Sequence, residues 1–592
     1  MLLLIGFVLY AHTLSSSFHF DDWHVIVNNP AIRDPGNLKA IWSVFNTRFV
    51  AGLTYAFNYA LGRLNPFWYH LFNIISHILS SLLVHSLILL TFQTPRMKGN
   101  SLVVRKRPVA FFAALLFLVH PLQTQAVNYL WQRTASLAAF FYLCAMTSYV
   151  RTRLARTSSW GYLIAFFAAF LGLLTKETTG TLPVMLLLYE FCFFESWKEN
   201  GRRRLLFLLP FLVTPCMIPI LLRNAGPNLL SLLRHEGSDY AMSHREYLWT
   251  EFNVMRTYLR LLWFPVRQNV DYDYPIAHRF FEPGTVLSFL LLAAIGLVSL
   301  KTFRRQPLLS FGILWFFLTL SVESSFIRLR DVIFEHRLYL PMAGFAIFLP
   351  TALTLLLKDR RKFIALSLVI LLTFSIATYR RNSIWKDEIT LWQDTVRKSP
   401  GKARAHFALG VAYGEKRDLD KAIASYEKAL QLNPAYVEAY NNLGAAYGSR
   451  GDYQRAIKEF RKSLQMDPGY EEARTHLKRA YDLAGLNQGI EGNYNKAIAY
   501  FEKSLRLKSD APEVYCNLGT THARKGDFDK AIRSYEKAIA LKPTYIEAHV
   551  NLGIAYLQRR NKEGVLRQVE RLRALHRDDL ADPLEKRGGR LH

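Results

Sequence analysis

The sequence predicts an all-α chain in two parts: a polytopic bundle of membrane-crossing helices, then an α-solenoid of repeated helix pairs. Three observations lead there. Apolar runs fill the first two-thirds of the 592 residues, short basic loops separate them, and from about Gly401 the pattern becomes charged, helical and periodic. With 51% hydrophobic residues and a formal charge of +28, composition alone allows a nucleic-acid binder or a membrane protein with basic loops. The distribution decides between them. The positive charge follows the loops and forms no basic stripe with interleaved aromatics, which sets nucleic acid aside as a partner. The four cysteines (Cys144, Cys192, Cys216 and Cys516) form no Cys-x-x-Cys pair and no ladder, so neither a metal site nor a disulfide framework is expected.

Crossing hydrocarbon takes roughly 20 apolar residues. By that measure about eleven spans are expected, at 1–16, 67–94, 108–122, 130–150, 159–174, 180–195, 204–222, 285–300, 307–321, 338–357 and 362–378. The first has no basic leader, which fits a native start upstream of Met1. Basic residues follow every even-numbered span: Arg96 to Arg107, Arg151 to Arg156, Lys198 to Arg204, Lys301 to Arg305, and Lys358 to Lys362. Loops rich in Lys and Arg stay in the cytoplasm. The first loop and everything after the last span are therefore expected on the other face, although Arg380-Arg381 opposes this locally.

From Gly401 a helix pair recurs every 34 residues, the tetratricopeptide period. The units read Leu409-Gly410…Tyr413…Ala422…Tyr426…Pro434, then Leu443-Gly444…Tyr447…Ala456…Phe460…Pro468. A third, Leu477…Tyr481…Ala497…Phe501, carries an insertion of about seven residues near Gly485–Glu491. A fourth runs from Leu518-Gly519 to Pro543, and a fifth, from Leu552-Gly553, loses the consensus as a capping unit should. The expected domains are a membrane domain over 1–380, a linker over 381–400, about five repeats over 401–577, and a basic tail over 578–592. Such arrays bind peptides or proteins. Asn442, Asn517 and Asn551 share one position in their units, where amides can hold an extended peptide backbone; Asn is also simply common there.

Four polar stretches fall in the loops opposite the basic ones. They are Phe20 to Pro30 with Asp21-Asp22 and His24, His120 to Arg133, Thr175 to Thr179, and Phe334 to Pro341. Ionisable groups so near hydrocarbon are costly unless solvated, paired or used. Asp21 or Asp22 suits a general base that takes a proton from a hydroxyl. Arg133, Lys176 and Arg337 suit the charge developing on a phosphate leaving group. Bland readings stand beside these. Cations at span ends snorkel to the interface, Glu177 beside Lys176 reads as a local ion pair, and Glu335 near Arg337 reads as another. His24, His70, His120 and His336 read as structural or orienting, since no ligand spacing links them. The long loop 223–282 is expected to carry an interfacial helix over the site; its Asp271 and Asp273 read as solvated acids.

Taken in order, these motifs resemble the transmembrane and tetratricopeptide repeat-containing O-mannosyltransferases and their bacterial relatives. The residues that carry the resemblance are Phe20-Asp-Asp, Leu64-Asn-Pro-Phe-Trp-Tyr-His-Leu71, His120-Pro-Leu-Gln-Thr-Gln-Ala-Val127, Arg133, Lys176-Glu177 and Glu335-His-Arg-Leu-Tyr-Leu-Pro341. The resemblance implies a GT-C glycosyltransferase that uses a polyprenyl-phosphate sugar, with a carboxylate of the first outer loop as base. It implies no tightly bound cofactor and no divalent metal. It also implies a bacterial inner membrane with the first loop and the repeats in the periplasm, or the lumenal face of the endoplasmic reticulum in a eukaryote. One departure stands out: Gln125 occupies a place where the family typically shows Glu. The implied function is transfer of a sugar, mannose in the first instance, to Ser or Thr of exported proteins held by the repeats. The rival is a membrane-anchored repeat scaffold for envelope proteins without catalysis.

Overall fold

The computed structural model describes residues 1–155, 159–194, 208–214, 242–324, 328–329 and 331–590, and among these there is no strand. The chain divides into two units, Met1–Pro400 and Gly401–His592.

Prolines set the helix starts of the first unit. Pro66, Pro283, Pro307 and Pro341 stand in the first turns of Pro66–Thr91, Pro283–Thr302, Pro307–Leu320 and Pro341–Leu356, where a missing N–H costs nothing. Asn65 caps the first of these by accepting the Phe67 amide, and Asp359 caps Arg360–Ile384 by accepting that of Arg361. Three helices, Pro66–Thr91, Pro283–Thr302 and Arg360–Ile384, are long and apolar enough to cross a membrane. Leu2–Thr13, Trp160–Leu173, Pro307–Leu320 and Pro341–Leu356 are apolar but shorter. So of about eleven expected spans, three reach crossing length and composition as described helices, and the span at 204–222 lies largely outside the described residues. Pro283–Thr302 and Arg360–Ile384 turn Leu287, Leu290, Leu297, Leu368, Val369 and Leu372 outward. Exposed apolar faces of that size suit hydrocarbon rather than water.

Inside, small residues bring backbones together. A Cβ on Gly312 would stand 2.7 Å from the Gly344 carbonyl oxygen, and one on Gly344 2.5 Å from that of Gly312. Polar cross-links then fix the loops at one end of the bundle. Asn128 Nδ2 donates to Asn382 Oδ1 at 2.7 Å, Asn382 Nδ2 to the Leu9 carbonyl at 3.1 Å, and Asn73 Nδ2 to the Val127 carbonyl at 2.9 Å. Residues 381–400 prove to be part of this packing rather than a linker. Trp385 is buried, and the helix Glu388–Lys398 turns Leu391, Trp392, Asp394 and Thr395 inward. Asp394 is gripped by Arg381, Arg397 and Lys398. A polar-looking stretch can be structural when its apolar residues fall on one helical face. The helix His244–Trp263, in the loop where one was expected, shows the same logic: Tyr247, Glu251, Val254, Tyr258 and Leu262 form its buried stripe.

In the second unit each repeat seats a glycine of its first helix against an aromatic ring of its second. A Cβ at Gly410, Gly444, Gly485 or Gly519 would fall 2.6–2.8 Å from Tyr426, Phe460, Phe501 or Tyr535. The spacing between partners is identical in all four units, so Gly485 marks the crossing of the third. The insertion therefore precedes Gly485 instead of following it. It is absorbed by the 20-residue helix Glu471–Ile490, against 13 residues in Val437–Ser449. Seven residues are almost two helical turns, so the inserted stretch returns the apolar stripe to nearly the same face. The stretch expected as a basic tail is likewise ordered. Asp578–Gly588 is a helix with Ala581, Leu584 and Gly588 buried, and Leu584 sits where a Cβ on Gly553 would be 2.5 Å away. It caps the array.

Placing the crossing at Gly485 has a direct test. Gly485→Val should destabilise the repeat unit by about 1–3 kcal/mol through overpacking against Phe501. Gly489→Ala, whose Cβ meets only ordinary contacts at 3.9 Å or beyond, should be neutral or gain up to about 1 kcal/mol of helix propensity. Thermal unfolding of the purified chain, read on the helical signal, distinguishes the two.

Candidate active site

The first loop is built around a bend. Phe20 takes a left-handed backbone (φ 52°), uncommon for a bulky residue. Its ring is wedged 4.3 Å from Trp392 and 5.4 Å from Tyr129. After this bend the adjacent carboxylates separate: Asp21 is exposed and Asp22 fully buried. Asp22 Oδ2 accepts the His19 amide at 3.0 Å and Oδ1 accepts the Trp131 amide at 2.7 Å, tying the loop to the segment before Arg133. Burial pushes the Asp22 carboxyl up to about 8 despite these amides, so it is mostly protonated at neutral pH. Asp21 keeps its carboxylate at the surface. The Tyr129 hydroxyl donates to its Oδ2 at 2.6 Å, and its own amide donates to the Tyr129 oxygen at 3.2 Å. Burial, then the two aspartates, hold the Tyr129 phenol well above its usual range, so it remains a donor. His19 Nε2 bonds the Trp385 carbonyl at 2.9 Å, and burial lowers its imidazole to about 4, leaving it neutral.

A second feature is a small cleft lined by Ala135, Lys176, Thr178, Thr319, Glu323, His336, Arg337, Leu340 and Pro341. Lys176 Nζ meets Glu323 Oε1 at 2.7 Å, both side chains largely buried. The Arg337 guanidinium donates to the carbonyls of Val332 (2.8 Å) and Asp331 (2.6 Å), which aims it without neutralising it. His336 is held well below its ordinary value by burial and by the charges of Lys176, Arg337 and Arg48; among the described residues its buried Nδ1 has no partner. Glu251 lies in the same field as Arg337 and Glu323, and burial raises it to about 7.

The segment 120–135 connects the two features. Tyr129 and Trp131 hold the aspartates, Ala135 lines the cleft, and Gln125 Oε1 accepts the His336 amide at 2.7 Å. Glu and Gln serve that last bond equally, since only an acceptor is needed. Arg48 stacks 5.0 Å over Trp131 and reaches Glu177 at 3.9 Å.

The other sequence candidates take different places. Arg133 is buried with its guanidinium engaged throughout: Nε to Asn73 Oδ1 (2.7 Å), Nη1 to Thr54 Oγ1 (3.0 Å) and Nη2 to the Tyr69 carbonyl (2.9 Å), with Tyr55 and Phe72 each 4.5 Å from it. Each guanidinium nitrogen is thus bonded inside the protein, and the group is fully buried. Glu335 pairs with Gln268, Asn269 and Tyr272 and not with Arg337; Lys176 pairs with Glu323 and not with Glu177. Sequence neighbours in a tight turn point apart, so adjacency was a poor guide. His120 is structural, bonding the Leu262 carbonyl and receiving the Leu122 amide. His24 is exposed at the edge of the loop. Asn442, Asn517 and Asn551 lie half-buried on the first helices of their repeats, and the Asn551 amide reaches Cys516 Sγ at 3.7 Å. Sequence reasoning missed Tyr129, Glu323 and Glu251. Glu323 left a signal, being a lone carboxylate at the end of an apolar run.

Comparison with known proteins agrees with the repeats and extends to the first unit. A tetratricopeptide repeat model matches residues 389–436 and 407–471, and a TPR repeat model matches 490–526 and 521–559. Protein O-mannosyl-transferase TMTC1 of Homo sapiens is 25% identical over 487 residues, covering 72% of this chain and 54% of its own. Protein O-mannosyl-transferase F38B6.6 of Caenorhabditis elegans is 25% identical over 459 residues, covering 73% and 62%. Protein O-mannosyl-transferase Tmtc3 of Drosophila melanogaster is 24% identical over 442 residues, covering 64% and 48%. Over about 72% of its length this chain is similar to the transmembrane and tetratricopeptide repeat-containing O-mannosyltransferases. It spans about half to three-fifths of the length of these relatives. Among solved structures, that of MamA is 26% identical over 29% of this chain and 96% of its own, with a TM-score of 0.24. YrrB, titled a TPR protein with an unusual peptide-binding site, is 22% identical over 33% and 97%, with a TM-score of 0.26.

Two consequences can be measured. The folded chain holds the Asp22 proton where the unfolded chain, with its ordinary value of 3.8, has lost it. That stabilisation is therefore full below about pH 4 and disappears as pH rises through about 8. The unfolding midpoint should fall as pH rises from about 4 to about 8 and level off above that, and Asp22→Asn should flatten that dependence. Arg133→Lys should destabilise by about 2–4 kcal/mol, because a single ammonium cannot serve three divergent acceptors; loss of the monodisperse peak in detergent at lower temperature reports it.

Proposed function

We propose that this protein transfers a sugar, mannose in the first instance, from a polyprenyl-phosphate donor to a Ser or Thr hydroxyl of an exported protein. The observation that carries the reading is the pairing of an exposed carboxylate, Asp21, with a cationic cleft at Lys176 and Arg337, both hung on segment 120–135. The names of the curated relatives point the same way. Asp21 takes the proton of the acceptor hydroxyl. The hydroxyl oxygen forms a bond to the anomeric carbon as the bond from that carbon to the phosphate oxygen breaks, and the electron pair leaves with the phosphate. Inversion at the anomeric carbon follows. Tyr129 orients Asp21, Asp22 fixes the loop through backbone amides, and Lys176 and Arg337 hold the charge that grows on the departing phosphate. Arg133 acts at a distance, by shaping the segment. The basic loops support a reading in which this chemistry lies on the non-cytoplasmic face, periplasmic in a bacterium. The repeats hold acceptor segments, with Asn442, Asn517 and Asn551 as backbone contacts. No tightly bound cofactor or divalent metal enters the scheme.

The test is transfer of radiolabelled mannose from polyprenyl-phosphate-mannose to exported proteins by the purified chain. Asp21→Asn should lower turnover roughly 10²–10⁴-fold with an unchanged unfolding midpoint, and Asp22→Asn should cost less. Wild-type turnover in Asp21→Asn removes the proposed base. A folded wild type inert toward every polyprenyl-linked sugar leaves the membrane-anchored scaffold as the better account.

A further inference from the structure

The cleft holds more than the cations a phosphate needs. Glu323 is bonded to Lys176 at 2.7 Å, with both side chains largely buried and both lining the small cleft. A carboxylate placed there competes for the ammonium with any anion that enters. A buried ion pair is also a weak way to gain stability, since desolvation offsets most of the attraction. The charges facing Glu323 are Lys176 and Arg337, with His336 neutral and Glu251, behind Arg337, adding a fraction of negative charge. With Glu323 ionised the cleft is close to one positive charge; without it, close to two.

That difference matches the chemistry of the donor, and this step rests on the function proposed above. A sugar phosphodiester carries one negative charge. The phosphomonoester left after transfer carries about −1.5 to −2 at neutral pH. We infer that Glu323 is a specificity-determining residue that matches the cleft to the phosphodiester donor and expels the phosphomonoester product. While the donor is bound, its single charge balances the cleft. Once the glycosidic carbon has left, the second charge on the phosphate faces the Glu323 carboxylate, and the product is repelled from the site that made it. Glu323 touches Lys176 and not Asp21, so its effect falls on lipid binding and release, leaving proton transfer untouched.

Direct binding of two lipids to the full chain in detergent tests this: polyprenyl-phosphate-mannose, the diester, and polyprenyl phosphate, the monoester. Glu323→Gln should tighten the monoester roughly tenfold, as expected for one unit charge removed from a half-screened site, while the diester changes less than about threefold. In turnover the same variant should show product inhibition at correspondingly lower polyprenyl phosphate. Should Glu323→Gln fail to fold, the double variant Lys176→Met/Glu323→Gln removes both members of the ion pair and keeps the net charge; it should bind both lipids more weakly with the wild-type preference between them. A double variant that instead comes to favour the monoester overturns the charge argument. Equal effects of Glu323→Gln on both lipids, or none, while Lys176→Met weakens both, overturn the role of Glu323 and leave the donor cleft standing. If wild type binds neither lipid, or Lys176→Met changes nothing, the cleft is not the donor site and the inference falls with it.

Discussion

The Asp22 carboxyl, buried between the amides of His19 and Trp131, is the interaction on which the candidate site depends. Among the described residues it forms no salt bridge. The bond from the Trp131 amide holds the first loop onto segment 120–133, the bond from the His19 amide closes the loop on itself, and burial keeps the proton in place. With Asp22 drawn inward, the left-handed turn at Phe20 leaves its neighbour on the outside, where Tyr129 can grip it. The same segment then reaches the cleft through Gln125 and Ala135. One neutral acid in the interior thus sets the place of its neighbour at the surface.

A second tier of support comes from the helix Glu388–Lys398 and the residues before it. The Lys386 carbonyl accepts the Ser17 amide at 3.3 Å, the Trp385 carbonyl bonds His19, and Trp392 stacks on Phe20. Asp394, held by three cations, anchors that helix. The Asp21 loop is therefore supported from both ends of the first unit's sequence, which explains why that unit runs on to Pro400.

Much of this was legible before any coordinates. Apolar run length and the 34-residue period are local signals; the period located the repeats, and three of the apolar runs form helices long and apolar enough to cross a membrane. The aspartate pair, Lys176 and Arg337 also stood out as charges where charges are costly. What sequence could not supply was direction. Asp21 and Asp22 look equivalent until the backbone angle at Phe20 is known, and Arg133 looks like a free cation until Asn73, Thr54 and Tyr69 are seen around it. Residues 381–400 and 578–592 looked like connectors because their apolar residues are few; those few, Trp385, Leu391, Ala581 and Leu584, all fall on buried faces. The third repeat was misplaced by a coincidence of periodicity. An insertion of seven leaves Leu477 and Tyr481 buried in register with the start of the helix, while Gly485 keeps register with its end.

That long helix has a consequence for the row of amides. Counting back from the crossing glycines, the residue two before Gly444, Gly519 and Gly553 is Asn, but before Gly485 it is Leu483. The two added turns also displace the later units by about 10 Å along the helix axis. The array is thus two short strips, one at Asn442 and one at Asn517 and Asn551, separated by a stiff spacer. A peptide engaging both would bind bivalently, its second contact governed by effective concentration instead of by a new bond. Bivalent contact of that kind would discriminate by chain length and extension, favouring long unstructured segments over short ones of the same composition.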